Sequence, residues 1–79
     1  MFDQNQNANE DTLRLTAREI EVLSLIAEGH ASQTVANLLF VSKRTVDIHL
    51  ANIYEKLQVN NRLQALRQAT RMGLLARAA

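Results

Sequence analysis

Apolar residues recur at intervals of three and four along four stretches of the chain, which is the periodicity of helices that bury one face. The predicted helices cover residues 17–28, 32–39, 43–57 and 62–72, and turns of only three or four residues separate them. Proline is absent and glycine occurs twice, so few residues would interrupt a helix. The pattern therefore predicts an all-α fold, a four-helix bundle.

Polar residues mark the predicted start of each helix. Thr16 and Glu19 have the spacing of a capping box, in which each side chain accepts a hydrogen bond from the backbone N–H of the other. Ser42 and Asn61 can cap the third and fourth helices, whereas the second helix has only Ser32 as a fallback cap. The sequence thus predicts the start of the second helix least well.

The predicted core takes apolar residues from all four helices. On the third helix these are Val46, Leu50, Ile53 and Leu57. The second helix is expected to bury Val35, Ala36, Leu38 and Leu39. The residues of the fourth helix that are expected to face the core are Leu66, Ala69 and Met72. Gly29 and Gly73 are placed to end the first and fourth helices.

The 79 residues are enough for one small domain. Residues 1–12 are polar and acidic, and we expect a disordered tail or the remnant of a linker there, ahead of a domain at 13–79. No apolar stretch approaches the ~18 residues of a membrane span, and the first residues do not form a signal peptide. We therefore expect a cytoplasmic protein.

Charge is distributed unevenly, although the net charge is only +1. Residues 1–41 hold six acids and two bases, a local charge of −4, whereas residues 42–71 hold six bases and two acids, a local charge of +4. A polyanion would be attracted to the second half and repelled by the first. A chance dipole on a surface would give the same numbers, so charge alone leaves both interpretations open.

The second and third predicted helices are close enough to form a helix-turn-helix unit. Three intervening residues leave no room for a long antiparallel overlap, so the helices should cross steeply. Such a unit presents its second helix to the DNA major groove, which is about 12 Å wide. Other small bundles also have short turns, so spacing alone supports this interpretation without establishing it.

Many residues between 15 and 75 occur in an order and spacing that match one known family. They are LTARE at 15–19, EVL at 21–23, AEG at 27–29, VA at 35–36, VS at 41–42, TV at 45–46, IY at 53–54, KL at 56–57, NR at 61–62 and GL at 73–74, with Leu25, His49, Val59 and Ala65. In this register the chain resembles the LuxR-type (LuxR/GerE/FixJ-like) helix-turn-helix domain of bacterial transcription regulators. The resemblance implies a tetrahelical fold without a wing, a recognition helix at about 43–57, and the output domain of a response regulator.

The resemblance also assigns roles on the third helix. Ser42 and Thr45 match hydroxyl positions that contact phosphates, and Lys56 matches a lysine placed near the DNA backbone. Lys43 and Arg44 are unfavourable beside the positive end of a helix dipole, which favours phosphates nearby over the alternative of solvated surface charge. The complete set of predicted DNA-binding residues is Ser42, Lys43, Arg44, Thr45, Asp47, Ile48, Ala51, Asn52 and Lys56.

Three of these residues match positions that face base edges: Asp47, Ile48 and Ala51. An aspartate can accept a hydrogen bond from cytosine N4, and Ile48 can contact a thymine methyl group. The family often has a lysine or another polar residue in place of Asp47 and a basic residue in place of Ala51. Gln33 stands where a lysine is usual, which removes one expected phosphate contact. We therefore expect DNA binding with low affinity and a shallow salt dependence.

The resemblance implies a homodimer that forms through the fourth helix and binds two half-sites about one helical turn apart. The predicted dimerisation residues are Leu66, Arg67, Thr70 and Arg71. Arg62 could contact a phosphate, but its family position favours a structural role that ties the fourth helix to the first. Double-stranded DNA is the predicted partner, and RNA polymerase is a further candidate.

The alternative function is a protein-interaction module that keeps the fold and binds DNA weakly or not at all. Asp47, Glu55 and Gln33 favour it because they weaken the attraction to phosphates. A continuous positive strip would favour DNA instead. An enzyme is not expected, because a helix exposed on the surface offers no pocket that excludes water. No metal, cofactor or small-molecule ligand is expected, since His30 and His49 are 19 residues apart without clustered ligands.

Overall fold

The computed structural model describes residues 14–75, so the tail predicted at 1–12 lies outside the described residues. Four helices are present: α1 (Ala17–Ala27), α2 (Ser32–Leu39), α3 (Lys43–Leu57) and α4 (Arg62–Arg71). Within residues 14–75 there is no strand. The predicted order and type of the helices are confirmed, and α1 and α4 each end one residue earlier than predicted. Within residues 14–75, none of the helices combines the length and hydrophobicity that a membrane span requires.

The helix starts follow from the capping side chains. At α1 the Glu19 amide donates to Thr16 Oγ1 over 3.1 Å, and the Thr16 amide donates to Glu19 Oε1 over 2.9 Å. Ser42 Oγ accepts from the Thr45 amide at 3.0 Å and so caps α3. Asn61 caps α4 in the same way. At α2 no side chain caps the helix, and Ala31 occupies the cap position.

All four helices end in the same motif, with one residue of positive φ after the last helical turn. Gly29 and Gly73 adopt this conformation after α1 and α4, as predicted. Phe40 and Gln58 adopt it after α2 and α3, with φ of 59° and 57°. At each end the following amide donates to a carbonyl five residues earlier, which satisfies backbone groups that the helix leaves unpaired.

The core lies where α1, α2 and α4 meet one side of α3. Its buried residues are Val22, Leu23, Ile26, Val35, Ala36, Val46, Leu50, Ile53, Leu57, Ala65, Ala69 and Leu75. Two predictions of burial are wrong: Leu38 is 49% exposed and Met72 is 54% exposed. Both lie where a helical stripe reaches the edge of the bundle, and no further element among the described residues covers them.

Arg62 ties α4 to α2, and the prediction that it would reach the first helix is wrong. Its Nη2 lies 3.4 Å from Ser32 Oγ, at the start of α2. The contact thus links the first turn of α2, which has no cap from its own N-cap residue, to the first turn of α4.

Candidate nucleic-acid interface

The two sides of α3 have opposite environments. Val46 and Ile53 are fully buried on the inner side, whereas Ile48 on the outer side is 49% exposed. The outer side carries an open depression of about 500 Å³, lined by Lys43, Arg44, Asp47, Ile48 and Ala51. These five residues all belong to the set predicted to bind DNA, and Asn52 is also exposed. The bundle thus fixes α3 along one side and leaves the first two turns of its other side open.

The start of α3 presents hydroxyl groups next to this depression. Ser42 is exposed and Thr45 is half-buried, and their hydroxyl oxygens lie 3.0 Å apart. Ser42 Oγ also holds the helix cap, so its position is fixed by the backbone. Hydroxyls and free amides at a helix start are donors that suit an anion.

Asp47 is paired on the surface of α3. The Lys43 ammonium donates to Asp47 Oδ2 over 2.9 Å, and both side chains remain about half exposed. The pair is neutral, so Lys43 does not add a free positive charge to the depression. Arg44 forms no hydrogen bond or ion pair with another described residue.

Lys56 forms an internal ion pair that sequence reasoning missed. Its ammonium donates to Glu19 Oε1 over 2.9 Å and to the Arg14 carbonyl over 3.0 Å. The Glu19 side chain is only 5% exposed and that of Lys56 is 17% exposed. A lysine ammonium has three donors, so one of them stays available for DNA. These two contacts give Lys56 a structural role. Its predicted contact with a DNA phosphate stays a prediction.

One signal in the sequence could have indicated this pair. Glu19 lies three, four and seven residues before Val22, Leu23 and Ile26, so helical periodicity places it on the buried side of α1. A buried carboxylate needs a cation or several donors. The identity of its partner could not be read from the sequence, because Lys56 is 37 residues away.

The face of α4 predicted to form a dimer is open to solvent. A shallow depression of about 400 Å³ is lined by Leu66, Arg67, Thr70 and Arg71. Leu66 is half-buried and the other three are exposed. Leu63, which lies one helical turn before Arg67, is 60% exposed and adds apolar surface to this face.

His49 is half-buried beside the core, and its Nδ1 is buried without a hydrogen-bond partner among the described residues. No group of three or more potential metal ligands occurs in the part of the chain that the structure describes. His49 therefore lies against the core, and within residues 14–75 its Nδ1 lacks the hydrogen bond that a buried imidazole usually forms.

A helix-turn-helix unit whose second helix is buried along one side and exposed along the other is the architecture of a DNA-binding domain. The chain matches the model of the family described as "Bacterial regulatory proteins, luxR family" over residues 13–69, and it belongs to this family. The predicted resemblance and the predicted tetrahelical fold are both confirmed. The family consists of transcription regulators and is not a class of enzyme.

Known relatives agree with this assignment. The chain is 43% identical over 61 residues to the uncharacterized response regulatory protein YgeK of Escherichia coli, covering 77% of this chain and 42% of that protein. It is 46% identical to the transcriptional activator protein AnoR of Acinetobacter nosocomialis, covering 80% of this chain and 26% of AnoR. The chain therefore spans less than half the length of these curated relatives.

Solved structures show the same fold. The transcription factor GerE superimposes with a TM-score of 0.76 and 34% identity, covering 78% of this chain and 92% of GerE. The response regulator ChrA of a heme-sensing two-component system superimposes with a TM-score of 0.75 and 43% identity, covering 77% of this chain and 30% of ChrA.

Proposed function

We propose that this domain binds double-stranded DNA sequence-specifically by inserting the first half of α3 into the major groove. The observation that carries the proposal is the exposed side of α3, where an isoleucine and an alanine lie among charged residues on a helix held by the core. Ile48 is 49% exposed, so about half of its apolar surface is left uncovered by the described domain. A thymine methyl group in the groove would cover part of it.

Phosphate contacts would position the helix before bases are read. Ser42 and Thr45 offer hydroxyls at the start of α3, and Arg44 offers a charge that has no partner among residues 14–75. Lys43 and Lys56 are engaged in ion pairs, so we expect them to contribute less. We therefore expect the affinity of one copy for DNA to depend only weakly on salt concentration.

Two copies would bind together through α4. Leu63 and Leu66 supply apolar surface, while Arg67 and Arg71 add charges of one sign around Thr70. In a two-fold contact the same patch of both copies meets, so four guanidinium groups would lie in one contact and repel each other. We therefore expect a weak dimer that becomes stable when DNA holds both copies. RNA polymerase is a further proposed partner of this complex. We also propose a cytoplasmic location, because a regulator of chromosomal DNA would work there.

Binding of a labelled duplex, selected from a random pool, would test the proposal between 50 and 200 mM salt. Affinity should fall with salt, with a log–log slope of roughly −0.9 for each cationic phosphate contact. Arg44→Ala should make the slope shallower by about one. Arg18→Ala is the matched control, because it removes the same charge from α1, where Arg18 pairs with Glu21. Binding that does not respond to salt would contradict the proposal.

The ion pairs favour one alternative, a protein-interaction module. Lys43 pairs with Asp47 and Lys56 pairs with Glu19, so neither adds a free charge to the positive strip that would support DNA binding. If the wild-type domain bound no duplex even at low salt, this alternative would be preferred.

A further inference from the structure

We propose that Lys43 and Asp47 act together as one reading unit that selects a C·G base pair in each half-site. This inference rests on the proposed DNA-binding function and adds the identity of one base pair. It starts from the ion pair on α3, in which Lys43 Nζ and Asp47 Oδ2 lie 2.9 Å apart.

The orientation of the pair argues against a role in helix stability. Lys43 is the first residue of α3, where the positive end of the helix dipole disfavours a cation. Pairs in which the acid precedes the lysine by four residues stabilise helices better than the reverse order found here. The pair therefore contributes little to the stability of α3, and it lies on an exposed face that lines a depression.

The pair also offers free hydrogen-bonding groups to a ligand. Asp47 Oδ1 accepts no hydrogen bond from the described residues, and the Lys43 ammonium uses one of its three donors on Oδ2. An acceptor and two donors are thus held next to each other. Because the pair is neutral, Asp47 can approach the DNA without the repulsion that an isolated carboxylate would feel.

This arrangement complements one base pair better than the others. A carboxylate only accepts, so it needs the amino group of cytosine or adenine, and a lysine donates to O6 and N7 of guanine. In a C·G pair the cytosine amino group lies beside guanine O6, and the two acceptors of guanine are adjacent. In an A·T pair the adenine amino group separates N7 from thymine O4, so one ammonium cannot use both as easily. The geometry therefore favours C·G.

The test combines selection with a change of a single base atom. Wild-type protein should select duplexes with one C·G pair in each half-site, and Asp47→Ala should lose roughly 10- to 100-fold of the preference there. Replacing that cytosine by 2-pyrimidinone, which lacks the amino group, should weaken wild-type binding about 10-fold and leave Asp47→Ala nearly unchanged. Lys43→Met should lower the preference for guanine on the other strand.

Glu55→Ala is the matched control, because Glu55 is an exposed acid on the same helix outside the depression. It should leave the base preference unchanged. Equal losses for wild type and Asp47→Ala on the 2-pyrimidinone duplex would overturn the inference, as would selection of another base pair. In either case salt-dependent binding would persist and the proposed function would stand. Absence of salt-dependent binding by the wild type would instead overturn the proposed function.

Discussion

Phe40 ends α2 through its backbone conformation, whereas its side chain contacts little of the protein. It lies between α2 and α3 with φ of 59°, and 94% of its surface is exposed. The left-handed conformation crowds a Cβ against the backbone and costs about 1 kcal/mol for a residue other than glycine. This strained residue lies in the turn between α2 and α3, the two helices of the helix-turn-helix unit.

Phe40→Gly should therefore raise the free energy of unfolding by about 1 kcal/mol, because glycine removes the crowding and little packing is lost. Urea denaturation would measure the change. Phe40→Ala is the control, since it removes the ring but keeps the Cβ, and it should leave stability nearly unchanged. Equal stabilities of the glycine and alanine variants would contradict the interpretation of strain.

Residue identity also explains where sequence reasoning succeeded and where it did not. Thr16, Ser42 and Asn61 cap helices through partners three residues away, so local spacing was enough to predict them. Phe40 and Gln58 take a conformation typical of glycine, and nothing in their residue types indicated it.

At the scale of the elements, α1 and α3 are joined by a buried ion pair as well as by apolar packing. Glu19 Oε1 receives the Thr16 amide and the Lys56 ammonium at 2.9 Å each, so one carboxylate oxygen caps α1 and holds α3. This contact joins the first turn of one helix to the last turn of the other. The periodicity of either helix alone could not predict it.

Lys56→Met should destabilise the domain by roughly 3 kcal/mol, because it leaves the buried Glu19 carboxylate without its cation. The double variant Glu19→Gln/Lys56→Met should recover most of the loss, which urea denaturation would measure. Lys43→Met removes an ammonium from an exposed pair on the same helix and should cost less than about 1 kcal/mol. Equal costs for the two lysine variants would show that burial adds nothing to the Lys56 pair.

At the scale of the whole molecule, the domain separates three surfaces. The core side of α3 is buried, its outer side is open, and the exposed face of α4 carries Leu63, Arg67 and Arg71. The sequence predicted the four helices because each buries one periodic stripe. It overestimated burial at Leu38 and Met72, because periodicity gives the direction of a side chain but not the edge of the bundle.

Thr70→Arg should weaken assembly on a duplex with two half-sites at least 10-fold, because it adds a third guanidinium to the proposed contact between two copies. Binding to a single half-site should stay within about two-fold. Ala27→Arg is the matched control, since Ala27 is an exposed residue of α1 outside the proposed DNA-binding residues. Electrophoretic mobility shifts on both duplexes would measure this, and equal effects of the two variants would contradict dimerisation through α4.

The contact between Lys56 and the Arg14 carbonyl has a mechanical consequence. The ammonium that donates to this carbonyl lies in the last turn of the 15-residue helix α3, a rod about 22 Å long. Lys56 also pairs with Glu19, so displacing the backbone at Arg14 would cost one hydrogen bond and leave the last turn of α3 tied to α1.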